Sequence, residues 1–130
     1  ACFPVMKVLR PHLEESSFVS QVRHQEQQGY HLVFIRQDEQ VVAVAGYRFG
    51  DFLAWGRVLY VDDLVTAPDK RGSGLGSALM DWLIAKAREE NCDALHLDSG
   101  YHRRAAHRLY LKKGLELRSH HFALQLRGTA

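Results

Sequence analysis

The spacing of apolar residues switches between helical and strand periods along the chain, and the switches divide it into elements. Phe3, Met6, Val8 and Leu9 recur at helical spacing, with Pro4 tolerable in a first turn and Pro11 ending the run, which predicts a short helix over residues 1 to about 10. A second helix is predicted from Ser16 or Ser17 as cap, through Phe18, Val19 and Val22, to Gly29 as its stop. From His31 the pattern changes. Leu32 to Ile35 and Val41 to Ala45 are apolar, largely β-branched runs separated by the polar residues Gln37 to Gln40, which predicts a hairpin. Gly50-Asp51 is expected to make the next turn, and Arg57 to Thr66 a third long strand.

After Gly74 the period returns to helical. Leu75, Leu79, Trp82, Leu83 and Ala87 fall on one face, and Ser77, Asp81 and Arg88 on the other. Asn91 to Asp93 breaks that run, Ala94 to Asp98 reads as a short strand, and a helix from about Arg103 to Lys113 is ended by Gly114. A last strand is expected near His121 to Leu126. The order strand, loop, helix, strand from Arg57 to Asp98 implies a parallel crossover. The expected class is therefore α/β, with a mixed sheet and helices on its faces.

Length and composition narrow the picture further. A chain of 130 residues without an internal repeat or linker reads as a single domain, residues 1–130, able to bury about two-thirds of its unfolded surface. It is 46% hydrophobic and 25% charged and has no apolar run suited to a bilayer, so no membrane partner is expected. The net charge of +2 comes from interspersed residues of both signs, unlike the concentrated basic stripe of a nucleic-acid binder. Cys2 and Cys92 form neither a CxxC motif nor a disulfide framework, which fits a reducing, cytoplasmic setting. No signal peptide is visible, and Ala1 is not an initiator methionine, so a preceding segment is left open.

Candidate chemistry centres on Val65 to Gly76, where a strand runs through a glycine-rich turn into a helix. A helix N-terminus carries backbone N–H groups without helical partners, together with partial positive charge. Gly72, Gly74 and Gly76 keep side chains out of an anion's way. The spacing argues against a P-loop, because Gly76 is followed by Ser77 and Ala78 instead of lysine and a hydroxyl residue. It also departs from GxGxxG after a first strand, the dinucleotide fingerprint.

What remains is RxxGxG, Arg71 to Gly76, which resembles the pyrophosphate loop of the GNAT N-acetyltransferase superfamily. Two further stretches carry the resemblance. Tyr60-Val61-Asp62-Asp63-Leu64-Val65-Thr66 is similar to the family's fourth strand, and Ala106, Leu109, Tyr110, Lys113 and Gly114 sit on a pattern similar to its AxxLYxKxGF signature, with Leu115 in place of phenylalanine. The likeness spans roughly Val41 to Leu126 and is strongest from Tyr60 to Leu115. It implies a mixed, mostly antiparallel sheet with helices on both faces, and acetyl-CoA as cosubstrate without a metal. It also implies a pantetheine arm along the backbone of Leu64, Val65 and Thr66, and a diphosphate held by Arg71, Gly72, Ser73, Gly74, Leu75, Gly76 and Ser77.

Two departures from the family pattern stand out. An asparagine common before the signature helix is replaced by His102-Arg103-Arg104. The family's first strand has no counterpart in this chain, so either that strand has been removed or its sheet edge is covered otherwise. Such an edge suits strand exchange or a homodimer.

Acetyl transfer to a primary amine, whose pKa is about 10, needs a proton acceptor. Asp62 and Asp63 stand at the strand end; regular alternation sends them to opposite faces, so at most one faces the cofactor, and Asp63 is preferred. Each reads equally as a salt bridge or turn cap. A backbone N–H near Leu64 or Val65 is expected to stabilise charge on the acetyl oxygen. The resemblance gives Tyr110 the part of proton donor to the departing thiolate; its other reading is a core tyrosine sharing a helix face with Ala106 and Leu109.

Arg71, with Lys70 nearby, reads either as charge on the diphosphate or as a solvated loop residue. The basic run Arg103, Arg104, Arg108, Lys112 and Lys113 reads as a solvent face before a contact to the terminal phosphate. His96, His102, His107, His120 and His121 match no zinc spacing, so no metal is expected, and His107 either orients Tyr110 or lies on the surface. Trp55 and Trp82 read as core or rim. The leading function is an acetyl-CoA-dependent N-acetyltransferase in which a primary amine, of a small molecule or a protein, attacks the bound thioester directly in a ternary complex. The alternative is a non-catalytic acyl-CoA sensor or structural module; a nucleotide-binding domain is disfavoured by the loop spacing. Asp51, Tyr47, Arg48 and His121 are candidates to line an acceptor pocket whose ligand the sequence does not name.

Overall fold

A computed structural model describes residues 1–100 and 103–127. The chain divides into two compact units, Ala1–Leu97 and a second from Asp98 onward. The first holds α1 (Phe3–Leu9), α2 (Glu15–Glu26), β1 (His31–Gln37), β2 (Gln40–Phe52), β3 (Gly56–Thr66), α3 (Leu75–Glu89) and β4 (Ala94–Leu97). Their sheet has the order β1-β2-β3-β4, with antiparallel pairs up to β3 and a parallel β3–β4 pair made by the α3 crossover.

Local chemistry accounts for most boundaries. Asp38 and Glu39 both take positive φ (49° and 64°), the mirror-image turn that matches the twist of a two-residue hairpin. The second turn differs from expectation. Gly50 and Asp51 stay in the ladder opposite Val58 and Arg57, and the chain reverses after Phe52, with Gly56 at φ 74° closing the loop. A Cβ on Gly56 would lie 2.2 Å from the Asp93 carboxylate, whose Oδ2 accepts the Arg57 N–H at 3.0 Å, so this glycine is required by close approach. The cap of α2 is Glu14, and Ser16 and Ser17 lie inside its first turn.

Both faces of the sheet carry helices. On one, Val5 and Met6 of α1 and Phe18 of α2 pack with Cys2, Val44 and Val65. On the other, α3 buries Leu75, Leu79, Met80, Leu83 and Ala87. Trp82 was expected in that stripe. It lies at the margin instead, 43% exposed, with its ring 5.8 Å from that of Tyr47, because Met80 occupies the centre of the buried arc.

In the second unit α4 (Arg104–Lys112) ends at Gly114, whose φ of 94° and the bond from Leu115 N–H to Tyr110 O (3.0 Å) form the usual left-handed stop. The strand expected at His121 to Leu126 is absent: residues 115–126 have no regular structure. Phe122, Leu124 and Leu126 keep the two-residue period but are 91%, 82% and 84% exposed. Alternation makes a strand only where a neighbour supplies the ladder. His102 lies outside the described residues. Among the described residues no helix is long and apolar enough to cross a membrane.

Candidate active site

The site is built around an irregularity in β3. Gly46 of β2 pairs with Asp63 and Tyr47 with Val61, leaving Asp62 opposite no residue. This is a β-bulge, and one extra residue turns two consecutive side chains toward the same face. The expectation that Asp62 and Asp63 diverge is therefore corrected. Tyr60, Asp62 and Asp63 line one cavity on the face that carries α1 and α2.

Each carboxylate is held by an arginine. Arg48 Nε lies 3.1 Å from both oxygens of Asp62 and its Nη2 2.7 Å from Oδ2. The Asp62 hydrogen bond, outweighing partial burial, raises the already high pKa of this guanidinium. Arg10, following α1, donates from Nε to Asp63 Oδ1 at 3.0 Å and from Nη2 to the Asp62 carbonyl oxygen at 2.9 Å. The salt-bridge reading of both aspartates is thus realised, and both still face the cavity.

Tyr30 completes the arrangement. Its phenol donates to Asp63 Oδ2 at 2.7 Å, and the Arg48 guanidinium lies 5.5 Å from its ring centre. Burial, then the Asp63 charge and hydrogen bond, push its pKa far above the ordinary phenol value, so it holds its proton throughout the neutral range. The phenol occupies space that a Cβ on Gly46 would fill, 1.8 Å from Oη. An isolated glycine inside an apolar strand is the sequence signal of such an approach.

The cavity, about 460 Å³, is lined further by Met6, His12, Phe18 and Gln25. Near it β3 outruns its parallel partner. The β3–β4 ladder covers Val58 to Val61, whereas β3 continues to Thr66, so the outward edge of Asp62 to Thr66 lacks a ladder strand among the described residues. Leu64 and Val65 have buried side chains, and Thr66 is half-buried.

After a single 3-10 turn at Pro68–Lys70 the chain enters the glycine loop. Gly72 and Gly74 have φ of 82° and 84°, and a Cβ on either would meet nothing within 4 Å. Gly74 is the N-cap of α3 without a side-chain cap bond, and the helical ladder starts with Ala78 N–H to Gly74 O at 3.0 Å. The N–H groups of Gly74, Leu75, Gly76 and Ser77 find no backbone acceptor among the described residues. The Ser73 hydroxyl is turned back onto the Lys70 carbonyl, and Arg71 is exposed. An open row of unpaired donors at a helix N-terminus fits a diphosphate.

The model of the acetyltransferase (GNAT) family matches residues 3–115. The chain belongs to this family. Among curated proteins it is 28% identical over 122 residues to the uncharacterized N-acetyltransferase YhdJ of Bacillus subtilis, covering 92% of this chain and 86% of that one. A Trypanosoma brucei acetyltransferase structure superposes with a TM-score of 0.78 at 25% identity, over 95% of this chain and 89% of that one. AAC(6')-Iy, solved with a bisubstrate analogue of CoA, superposes with a TM-score of 0.80 at 13% identity, over 95% and 88%; at that identity the likeness is one of fold.

In α4 Tyr110 is buried, and burial raises its pKa against the opposing influence of Arg103. Of the other candidates, Arg48 is bound to Asp62 and Tyr47 is buried against His31 and Trp82. Asp51 is exposed, and His121 lies 3.8 Å from Asp98 within the second unit. Trp55 stacks on His96 at the rim. Among the described residues no group of three or more His, Cys, Asp or Glu is suited to a metal ion. Arg10 and Tyr30 meet Asp63 across 53 and 33 positions of this GNAT chain, so no local spacing marks them; Gly46 alone of the three carries a local signal.

Proposed function

We propose that this protein is an N-acetyltransferase in which a primary amine attacks the thioester of bound acetyl-CoA directly, within a ternary complex. GNAT membership implies acetyl transfer from acetyl-CoA; the amine acceptor and direct attack are the proposed part. The observation that carries it is the order of β3, loop and α3: a strand edge from Asp62 to Thr66 that lacks a ladder strand among the described residues leads, through one 3-10 turn, into a row of N–H groups without a backbone acceptor among those residues.

In this reading the loop from Arg71 to Ser77 holds the diphosphate, with Gly72 and Gly74 leaving it room. The edge of Leu64, Val65 and Thr66 receives the pantetheine amides and offers an N–H to charge developing on the acetyl oxygen. Acetyl-CoA supplies the activated acetyl group and the thiolate leaving group. Asp63 orients the incoming ammonium and takes its proton, directly or through one water, since each of its oxygens accepts one protein donor and retains a further lone pair. Asp62 anchors Arg48 across the bulge. Tyr110 is given the proton-donor role by its motif position, and a phenol with a raised pKa stays in the donor form at neutral pH.

Initial-rate kinetics with both substrates varied tests the ternary complex. Intersecting double-reciprocal lines and an acetylated amine in the mass spectrum are expected; parallel lines with an acetylated protein intermediate contradict direct attack.

A further inference from the structure

The cavity beside Asp63 has a charge pattern that restricts its ligand. Its carboxylates are already matched: Arg48 is bound to Asp62 and Arg10 to Asp63, so these groups sum to zero. Arg10 is fixed through Nε and Nη2, leaving Nη1 without a hydrogen-bond partner among the described residues and the side chain 43% exposed. His12, Gln21 and Gln25 add further donor capacity to the same lining. A polycation would enter such a site without an uncompensated carboxylate to receive its extra charges. A ligand carrying one ammonium and one anion preserves the balance and fills the unused donor.

We propose that the acceptor is a small primary amine that also bears an anionic group, with its amine at Asp63 and its anion at Arg10. The proposal rests on the N-acetyltransferase reading above. The unused Nη1 belongs to the same guanidinium whose Nε is bound to Asp63 Oδ1 at 3.0 Å, so an amine at Asp63 and an anion at Nη1 are within the reach of one small molecule, as in a free amino acid. A volume of about 460 Å³ leaves room for a side chain against Met6, Leu13, Phe18 and Val22. A peptide N-terminus presents an amide where the anion belongs and is a poorer ligand on the same grounds.

The test compares acetyl-transfer rates for free amino acids, the matching carboxamides, N-terminal dipeptide amides, diamines and an aminoglycoside. The amino acids are expected to exceed their carboxamides in kcat/KM by about tenfold or more. Arg10→Gln should collapse that ratio toward one by raising KM for the acids, and Arg10→Lys should restore part of it. Equal or better transfer to carboxamides, dipeptide amides or polycations overturns the acceptor proposal while leaving the N-acetyltransferase reading intact. Transfer to no amine, with acetyl-CoA still bound, removes both. Should the Arg10 variants fail to fold, the acid-to-carboxamide ratio of the unaltered protein decides the question alone.

Discussion

The Tyr30 hydroxyl donates to Asp63 Oδ2 at 2.7 Å, joining the residue just before β1 to the bulge in β3. The two are 33 positions apart in sequence. Because Asp63 Oδ1 is held by Arg10, the carboxylate has one fixed orientation, and Tyr30 supplies half of what fixes it. Tyr30→Phe removes the donor and leaves a mostly buried charged oxygen short of a partner. A stability loss of about 1–3 kcal/mol is expected in denaturant unfolding. If Asp63 is the base, kcat should fall while acetyl-CoA affinity is unchanged. Undiminished kcat would detach Tyr30 from catalysis.

Gly46→Ala tests the same contact from the β2 side. A Cβ there meets Tyr30 Oη at 1.8 Å and Cζ at 2.3 Å, so the ring must move, at a cost of about 1–3 kcal/mol. In a Tyr30→Ala background the same substitution should cost markedly less, because the clashing ring is gone. Equal costs in the two backgrounds would show that the glycine serves another purpose.

High pH offers a further check on the buried phenols. Burial raises the pKa of Tyr30, Tyr47 and Tyr110 above the ordinary value of 10.0. The protonated phenol is therefore favoured in the folded state. Its contribution is fully present below about pH 10, where the unfolded phenol begins to ionise, and is lost as pH rises toward the folded value. Stability should fall above about pH 10 by up to about 1.4 kcal/mol per pH unit for each such group. Removal of Tyr30 as Tyr30→Phe should flatten the slope; an unaltered slope would mean its phenol ionises as freely as one in water.

At the loop, Gly74→Ala places a side chain at φ 84°, which costs roughly 1–2 kcal/mol in backbone strain although no atom lies within 4 Å of the added Cβ. Gly74→Leu should add to that strain a weaker acetyl-CoA affinity, read by calorimetry on the folded variant, because its side chain enters the open space before the N–H groups. Unaltered affinity would move the diphosphate elsewhere.

Much of this arrangement was legible in the sequence. The strand, glycine loop and α3 were readable because periodicity and glycine placement act locally, and the Asp38-Glu39 hairpin followed from the polar break between two apolar runs. The bulge was not, since alternation assumes a regular ladder and the extra residue at Asp62 is defined only against β2. The pairing of Arg10 with Asp63 spans 53 positions, and no local spacing encodes it. Gly50-Asp51 looked like a turn by composition, but β2 carries both residues through the ladder before the chain reverses. His121 to Leu126 has the period of a strand, but no strand among the described residues pairs with it.

Amine-dependent acetyl transfer is read by the release of free thiol from acetyl-CoA. Release should be slow with acetyl-CoA alone, rise with a primary-amine acceptor in step with acetylated product, and drop by about 10²-fold or more in Asp63→Asn at unchanged acetyl-CoA affinity. Tight acetyl-CoA binding with no thiol release for any amine would contradict it, and would make the protein a binder of the cosubstrate in place of an enzyme.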